Sequence, residues 1–391
     1  MTVGNSLEAR VHNRLAEWEA GRLLRVLRPP AGVDLSSNDY LNLSTHPIIV
    51  DRFARAVGRE GCGSTGSRLL RGDRDAFSAV ERRFAEFKRT ERSLYFSSGY
   101  LANIGVMTTL AERGDVVFSD ERNHASLIDG IRLSAATRVV FPHNDVRHLA
   151  QRLADTPASA GSRGHRFVVV ESLFSMDGDF APLAEYAALC RSAGASLIVD
   201  EAHAVGIYGE RGSGLIEAAG IEKDVLASIN TAGKALGVSG AFVAGPQWAV
   251  EYLIQRARPF VFSTAPPPAL ADALDASLDL IGAEPERREW LSSRVLHARV
   301  RLACAGIAVP TGGSQIIPVG IGDNDRAVAV ARTLQADGFD VRAIRPPTVP
   351  PGTARLRVSV NAALSDETID RFAVSLATAL KEVGLCSAGS S

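Results

Sequence analysis

Lys234 lies in Thr231-Ala232-Gly233-Lys234-Ala235-Leu236-Gly237, between two β-rich segments. Small neighbours let a ligand come close to the amine, which can then capture a carbonyl; the ordinary alternative is a solvated loop lysine. Asp200 ends the apolar run Ser196-Leu197-Ile198-Val199. Its carboxylate therefore sits at the carboxyl end of a strand, a place also taken by plain turn and cap residues. His203 follows, ahead of a glycine loop over 206–214. His124, in Asp120-Glu121-Arg122-Asn123-His124-Ala125-Ser126, comes just after the β-rich run 116–118. An imidazole there can stack on a flat ring and carry protons, or it can be structural. Ser97-Ser98-Gly99-Tyr100 follows the run 94–96 and opens a helical stretch to about Leu110. The N–H groups at such an opening bind phosphate, although a serine there is also an ordinary helix cap. Arg355 and Arg357 alternate on a strand and so share a face. Guanidinium groups capture carboxylates bidentately, and they also line solvated strand faces.

Each signal has a plain structural alternative; their joint order is more specific. Pyridoxal phosphate (PLP) needs a lysine for its aldehyde and a carboxylate that keeps its pyridine nitrogen protonated. It also needs a phosphate cup and a residue over the ring. The order of phosphate cup, ring-stacking histidine, strand-end aspartate, lysine and C-terminal arginine resembles that of the aspartate-aminotransferase-like class, fold type I.

The elements that must hold these side chains show as alternation. From about 92 to 260, β-rich runs at 94–96, 116–118, 139–141, 167–170, 197–199 and 241–244 are separated by helical stretches such as 182–193. That pattern predicts an α/β fold with a mostly parallel sheet covered by helices on both faces. Ligands in such sheets sit beyond the carboxyl ends of the strands. Helices are expected over 7–25 and 76–88. After about 285 a long charged helix precedes strand candidates 316–319, 341–344 and 356–360, with helices at 326–336 and 367–383. This reads as a smaller C-terminal α/β domain. The expected division is an N-terminal arm over 1–45, a large domain over 46–284 and a small domain over 285–391. Gly61-Cys62-Gly63-Ser64-Thr65-Gly66 matches the dinucleotide fingerprint, but a charged helical stretch precedes it where the motif requires an apolar strand.

Composition narrows the function. Forty-three basic and 44 acidic residues give a net charge of −1 in 391 residues, so nothing calls for nucleic acid or an anionic membrane. The longest apolar runs are too short to span a bilayer. Residues 7–24 are charged and amphipathic, with no apolar signal core. Cys62, Cys190, Cys304 and Cys386 are scattered, without metal spacing. A cytoplasmic protein with reduced thiols and no metal site is the expectation.

The sequence further resembles the α-oxoamine synthases over roughly residues 20 to 385. The resemblance rests on SSNDYLNL from Ser36, GSTGSRLLRG, FSSGYLANIGV, NHASLIDGIRLS, ESLFSMDGDFAPL, VDEAHAVGIYGERGSG, TAGKALGVSGAFVAG, FSTAPPPA and RPPTVPPGTARLRVSV. It implies that Lys234 carries the cofactor as a Schiff base, Asp200 pairs with the pyridine nitrogen and His203 bonds the ring hydroxyl. His124 is then the residue over the ring that also meets substrate. Gly99, Tyr100 and Thr231 hold the phosphate, with Thr264 reaching in from the second subunit of a homodimer, and Ser175 lies in the cofactor pocket. Arg357 takes the substrate carboxylate, and Arg25 and Thr348 line the acyl side.

HNDVRHL from His143 and the proline-rich run from Arg345 resemble the biotin-pathway branch. That branch joins L-alanine to a pimeloyl thioester of CoA or acyl carrier protein, giving 8-amino-7-oxononanoate, carbon dioxide and free thiol. The alternatives are a sister acyltransferase using glycine or serine, an aminotransferase, and a non-catalytic PLP-fold module. The family usually has Gly where this chain has Asn42, and His near Phe77 and Leu364.

Overall fold

The computed structural model describes residues 6–156 and 164–385; Cys386 lies outside them. The chain begins with a helix over Leu7–Ala20, followed by a two-residue strand, β1 (Val33–Asp34). Seven strands then build the main sheet: β2 (Arg92–Phe96), β3 (Val116–Asp120), β4 (Thr137–Phe141), β5 (Arg166–Glu171), β6 (Ser196–Asp200), β7 (Val225–Thr231) and β8 (Ala241–Gly245). Their spatial order is β2-β8-β7-β6-β5-β3-β4, and only β8 runs against its neighbours.

The strands are apolar at nearly every position because helices cover both faces. Val117, Phe167, Val169 and Ile198 pack into one core, while their chain neighbours Phe118, Val168, Val170 and Val199 point into the other. Each such side chain contributes about 1.5–3 kcal/mol on burial. The first core is closed by the helices Gly99–Leu110 and Ala125–Leu133. These two approach closely: a Cβ at Gly130 would lie 2.9 Å from the Cβ of Met107.

One strand departs from the sequence pattern. β7 was absent from the β-rich runs because Ser228 and Asn230 interrupt its apolar character. Both are buried, and Asn230 Nδ2 donates to the Ser228 carbonyl at 3.1 Å and to its hydroxyl at 3.0 Å. The Asn230 amide N–H₂ is satisfied locally, while its Oδ1 is buried without a partner among the described residues.

Two compact units emerge. One holds residues 38–175 and 179–291, including the main sheet; the other holds the chain up to Ser37, Met176–Gly178 and the segment from Ser292 onward. In the second unit β9 (Ile316–Gly322), β11 (Ala343–Ile344) and β12 (Ala354–Ser359) form an antiparallel sheet in the order β11-β12-β9. β10 (Phe339–Asp340) pairs in parallel with β1. Of the strand expected over 341–344 only Ala343–Ile344 forms, joining β12, because the chain leaves the sheet shared with β1 at Asp340 just before it. Helices over Asn324–Ala336 and Asp366–Glu382 complete this unit. The first helix ends at Ala20 rather than near 25, with Gly21 closing it. No helix among the described residues is long and apolar enough to cross a membrane.

Candidate active site

The parallel strands deliver chemistry to one edge. β3 ends at Asp120, β5 at Glu171, β6 at Asp200 and β7 at Thr231. Glu171 and Asp200 are directly opposed across the β5–β6 pair.

Beyond β7 the chain turns back toward β8, with Ala232 N–H donating to Gly240 O at 2.9 Å and Gly237 N–H to Lys234 O at 2.8 Å. Gly237 has φ +67°. A Cβ there would strike the Leu43 backbone at 2.6 Å, so the turn needs glycine. This turn carries Lys234, whose Nζ lies 2.8 Å from Nε2 of His203. The other ring nitrogen of His203 lies 2.7 Å from the hydroxyl of Tyr40, and that hydroxyl donates to Asn38 Oδ1 at 2.9 Å. Tyr40 is fully buried. It was not singled out in the sequence, although it sits inside SSNDYLNL.

Beyond β2, Ser98 caps the helix Gly99–Leu110, its hydroxyl accepting from Leu101 N–H at 3.3 Å. A Cβ at Gly99 would collide with Thr231 Oγ1. Glycine thus lets the helix N-terminus and a hydroxyl from β7 form one cradle. Helix N–H groups beside a hydroxyl suit a phosphate, so the residues fit a PLP phosphate here. Tyr100 follows, half exposed, with its phenol bonded to Asp129.

Asp200 is buried. Its Oδ1 accepts from Ala202 N–H at 2.9 Å and its Oδ2 from Asn103 Nδ2 at 2.7 Å. His124 caps the helix Ala125–Leu133, with Ser126 N–H 3.3 Å and Ser126 Oγ 2.7 Å from its Nδ1. Loss of surrounding water is the main cause holding its pKa below the usual histidine value, and Lys234 pushes the same way; Asp200 and Asp129 oppose. Glu171 is raised to about 8, chiefly by burial and next by Asp200, so it is neutral at pH 7. Backbone N–H groups of His124 and Ser175 reach its carboxyl. Ser175 is itself buried. Asn103, Ser126 and Glu171 escaped the sequence reading. The signal for Asn103 was available as a lone amide in the apolar helix stretch Leu101-Ala102-Asn103-Ile104-Gly105-Val106.

The false dinucleotide motif has a structural task. Ser64 Oγ donates to Pro266 O at 2.5 Å and Ala265 N–H to Gly66 O at 2.9 Å, which fixes the turn presenting the exposed Thr264.

The remaining expected residues belong to the other unit. Arg25 Nη2 donates to Thr348 Oγ1 at 3.0 Å, as grouped together by the sequence. The pair lines a cavity of about 520 Å³ with Arg22, Arg28, Arg342 and Arg345. Arg345 is held below its usual pKa, first by burial and then by Arg25. On β12, Arg357 is buried and donates to Ser359 Oγ at 2.9 Å, while Arg355 pairs with Asp177 at 2.7 Å. A solvated strand face, the alternative for these two arginines, is not what the strand presents.

The departures from the family pattern are also placed. Asn42 has φ +54°, a left-handed conformation that favours Gly and Asn alike, so the exchange preserves the backbone. Phe77 is fully buried, stacked on Tyr95 at 5.9 Å with the Arg68 guanidinium 4.6 Å from its ring centre. Leu364 is buried too.

Comparison with known proteins matches this arrangement. The aminotransferase class I and II family model covers residues 30–376. The 8-amino-7-oxononanoate synthase of Anaeromyxobacter dehalogenans is 48% identical over 352 residues, 90% of this chain and 87% of that one. A serine palmitoyltransferase from S. paucimobilis, solved with PLP–myriocin bound, has a TM-score of 0.91 at 29% identity, covering 98% of this chain and all of that one. An 8-amino-7-oxononanoate synthase from Francisella tularensis has a TM-score of 0.78 at 27% identity, covering 90% and 98%. The chain belongs to the aminotransferase class I and II family, with the fold type I architecture of PLP-dependent enzymes, and within it to the α-oxoamine synthase type of transferase, alongside the 8-amino-7-oxononanoate synthases.

Proposed function

We propose that this chain binds PLP at Lys234 and condenses L-alanine with a pimeloyl thioester, releasing carbon dioxide and thiol to form 8-amino-7-oxononanoate. The observation that carries the reading is the meeting of three groups at the strand ends. These are the Lys234 amine on His203, the Asp200 carboxylate held by Asn103, and the Gly99–Thr231 cradle.

When bound, the cofactor supplies an electron sink for negative charge at the substrate α-carbon. The chain's own groups do the rest. Ser98–Tyr100 N–H groups and the Thr231 hydroxyl hold the phosphate. Asp200 keeps a proton on the ring nitrogen, and its two fixed hydrogen bonds aim the carboxylate. His203 orients the ring hydroxyl and Ser175 lines the pocket. Lys234 Nζ, 2.8 Å from His203 Nε2, removes and returns the α-proton as a general base. His124 donates a hydrogen bond to the oxyanion that develops on the thioester carbonyl. Arg357 takes the alanine carboxylate, and Arg25 and Thr348 receive the acyl chain. The reading includes a cytoplasmic homodimer in which Thr264 completes the partner's phosphate site.

The test is product analysis by mass spectrometry. Purified protein with PLP, L-alanine and either pimeloyl-CoA or pimeloyl-acyl carrier protein should give 8-amino-7-oxononanoate, with glycine and L-serine in parallel. Faster turnover of glycine or serine with another acyl-CoA would replace this reading with the sister acyltransferase. Conversion of bound PLP to its amine form by L-alanine alone would replace it with an aminotransferase.

A further inference from the structure

The buried amide of Asn103 lies between the two groups that the proposed chemistry uses most differently. It sits on the helix Gly99–Leu110, 2% exposed. Its Nδ2 is 2.7 Å from Asp200 Oδ2 and 2.8 Å from Ser126 Oγ. Its Oδ1 is buried without a hydrogen-bond partner among the described residues. The chain continues from Ser126 Oγ to His124 Nδ1 at 2.7 Å.

The direction of every bond in this chain follows from chemistry. An ionised carboxylate only accepts, so the Asn103 face toward Asp200 must be its N–H₂. Rotating the amide would set an oxygen against the carboxylate. The second N–H of the same nitrogen then points at Ser126 Oγ, which accepts it. Ser126 keeps one hydroxyl proton, and His124 Nδ1 is within reach to receive it. The Ser126 backbone N–H also points at Nδ1, at 3.3 Å, and two donors aimed at one ring nitrogen leave no room for a proton on it.

We infer that Asn103 and Ser126 are positioning residues that transmit the orientation of Asp200 to His124 and hold its neutral ring in the Nε2–H form. The consequence rests on the proposed function: Nε2 is then a ready donor toward an oxyanion, with no need for the ring to be charged. Loss of surrounding water, with Lys234 pushing the same way, holds the His124 pKa below its usual value, which agrees with a neutral ring. The charged and titratable groups around the ring are Asp200, Lys234, Asp129, Glu171 and Tyr100. The close packing at Gly130 brings the two helices near enough for Asn103 to reach Ser126.

The experiment is long-range ¹H–¹⁵N NMR on full-length protein labelled at histidine nitrogen, with and without PLP, using His124→Gln for assignment. Wild type should show His124 protonated at Nε2 only. Ser126→Ala removes the stronger donor to Nδ1 but keeps the backbone N–H, so the Nδ1–H form should gain population and the His124 titration should move up toward the ordinary value. Asn103→Ala should do the same and should also lower kcat with little change in KM for L-alanine. An Nδ1–H ring in wild type, or an unchanged tautomer and titration in Ser126→Ala, would overturn the inference. Borohydride labelling separates the two readings. If PLP is trapped on a lysine other than Lys234, the proposed function falls, while the tautomer is decided by NMR alone.

Discussion

The edge of the main sheet and the arginine cavity of the second unit organise charge in opposite ways. At the strand ends, Asp200 and Glu171 are buried and the groups carrying the proposed chemistry have fixed partners: Asp200 has Asn103 and Ala202, Lys234 has His203, and His124 has Ser126. In the cavity, Arg25 and Arg345 face each other, and burial together with mutual repulsion lowers the affinity of Arg345 for its proton. The first region is preorganised, as catalysis demands, because its dipoles are set before substrate arrives. The second holds excess positive charge at the surface, which suits capture of an anionic group and costs little to rearrange. The difference predicts which measurements each region controls: rate constants for the strand ends, Michaelis constants for the cavity.

The largest effects should come from the strand ends. Lys234→Ala should abolish turnover and the visible absorbance of lysine-bound PLP, and labelling by PLP and borohydride should disappear with it. Near-normal turnover in this variant would refute the assignment. Asp200→Asn keeps the shape and removes the charge. Isotope exchange at the α-carbon of L-alanine should slow by several powers of ten, each ~1.4 kcal/mol of barrier being tenfold, while PLP still binds.

Arg25→Ala or Arg345→Ala should raise KM for the acyl thioester by about tenfold, as loss of one charge-assisted contact of ~1.4 kcal/mol does, with kcat nearly unchanged. Raising salt should weaken wild-type binding in the same sense. A fall in kcat with constant KM would erase the contrast between the two regions.

The smallest effect concerns stability. The folded-state pKa of Glu171 is raised to about 8 from 4.5. Between these values the folded protein binds a proton that the unfolded chain has released, so stability falls as pH rises through this window. Below about 4.5 the contribution is fully present. Glu171→Gln is neutral at every pH. It should therefore melt close to wild type at pH 5 and increasingly above it toward pH 8.5, by thermal denaturation at each pH.

The strands of the main sheet were legible because burial on two faces demands continuous apolar runs, and such runs ending in a polar residue mark the strand ends. Asp200 was singled out that way, and Lys234 by its small, glycine-flanked neighbours. β7 was not, since Ser228 and Asn230 interrupt its apolar run and the Asn230-to-Ser228 hydrogen bonds that accommodate them leave no trace in periodicity. The break between Asp340 and Ala343 escaped for a related reason: two short strands in different sheets look like one strand until their partners are known.

By itself, the sequence determined the family, the element order, and the residues placed by backbone chemistry: the Ser98 cap, the glycine-bounded lysine turn, the strand-end carboxylate. These depend on local pattern, which the chain carries in order. Tertiary structure alone decided that Tyr40 stands behind His203, that Glu171 faces Asp200 across a strand pair, and that Asn103 joins Asp200 to Ser126. Those partners are 163, 29, 97 and 23 positions apart. Hydrogen bonds act over about 3 Å, so only the packing of helices on the sheet could bring them within reach.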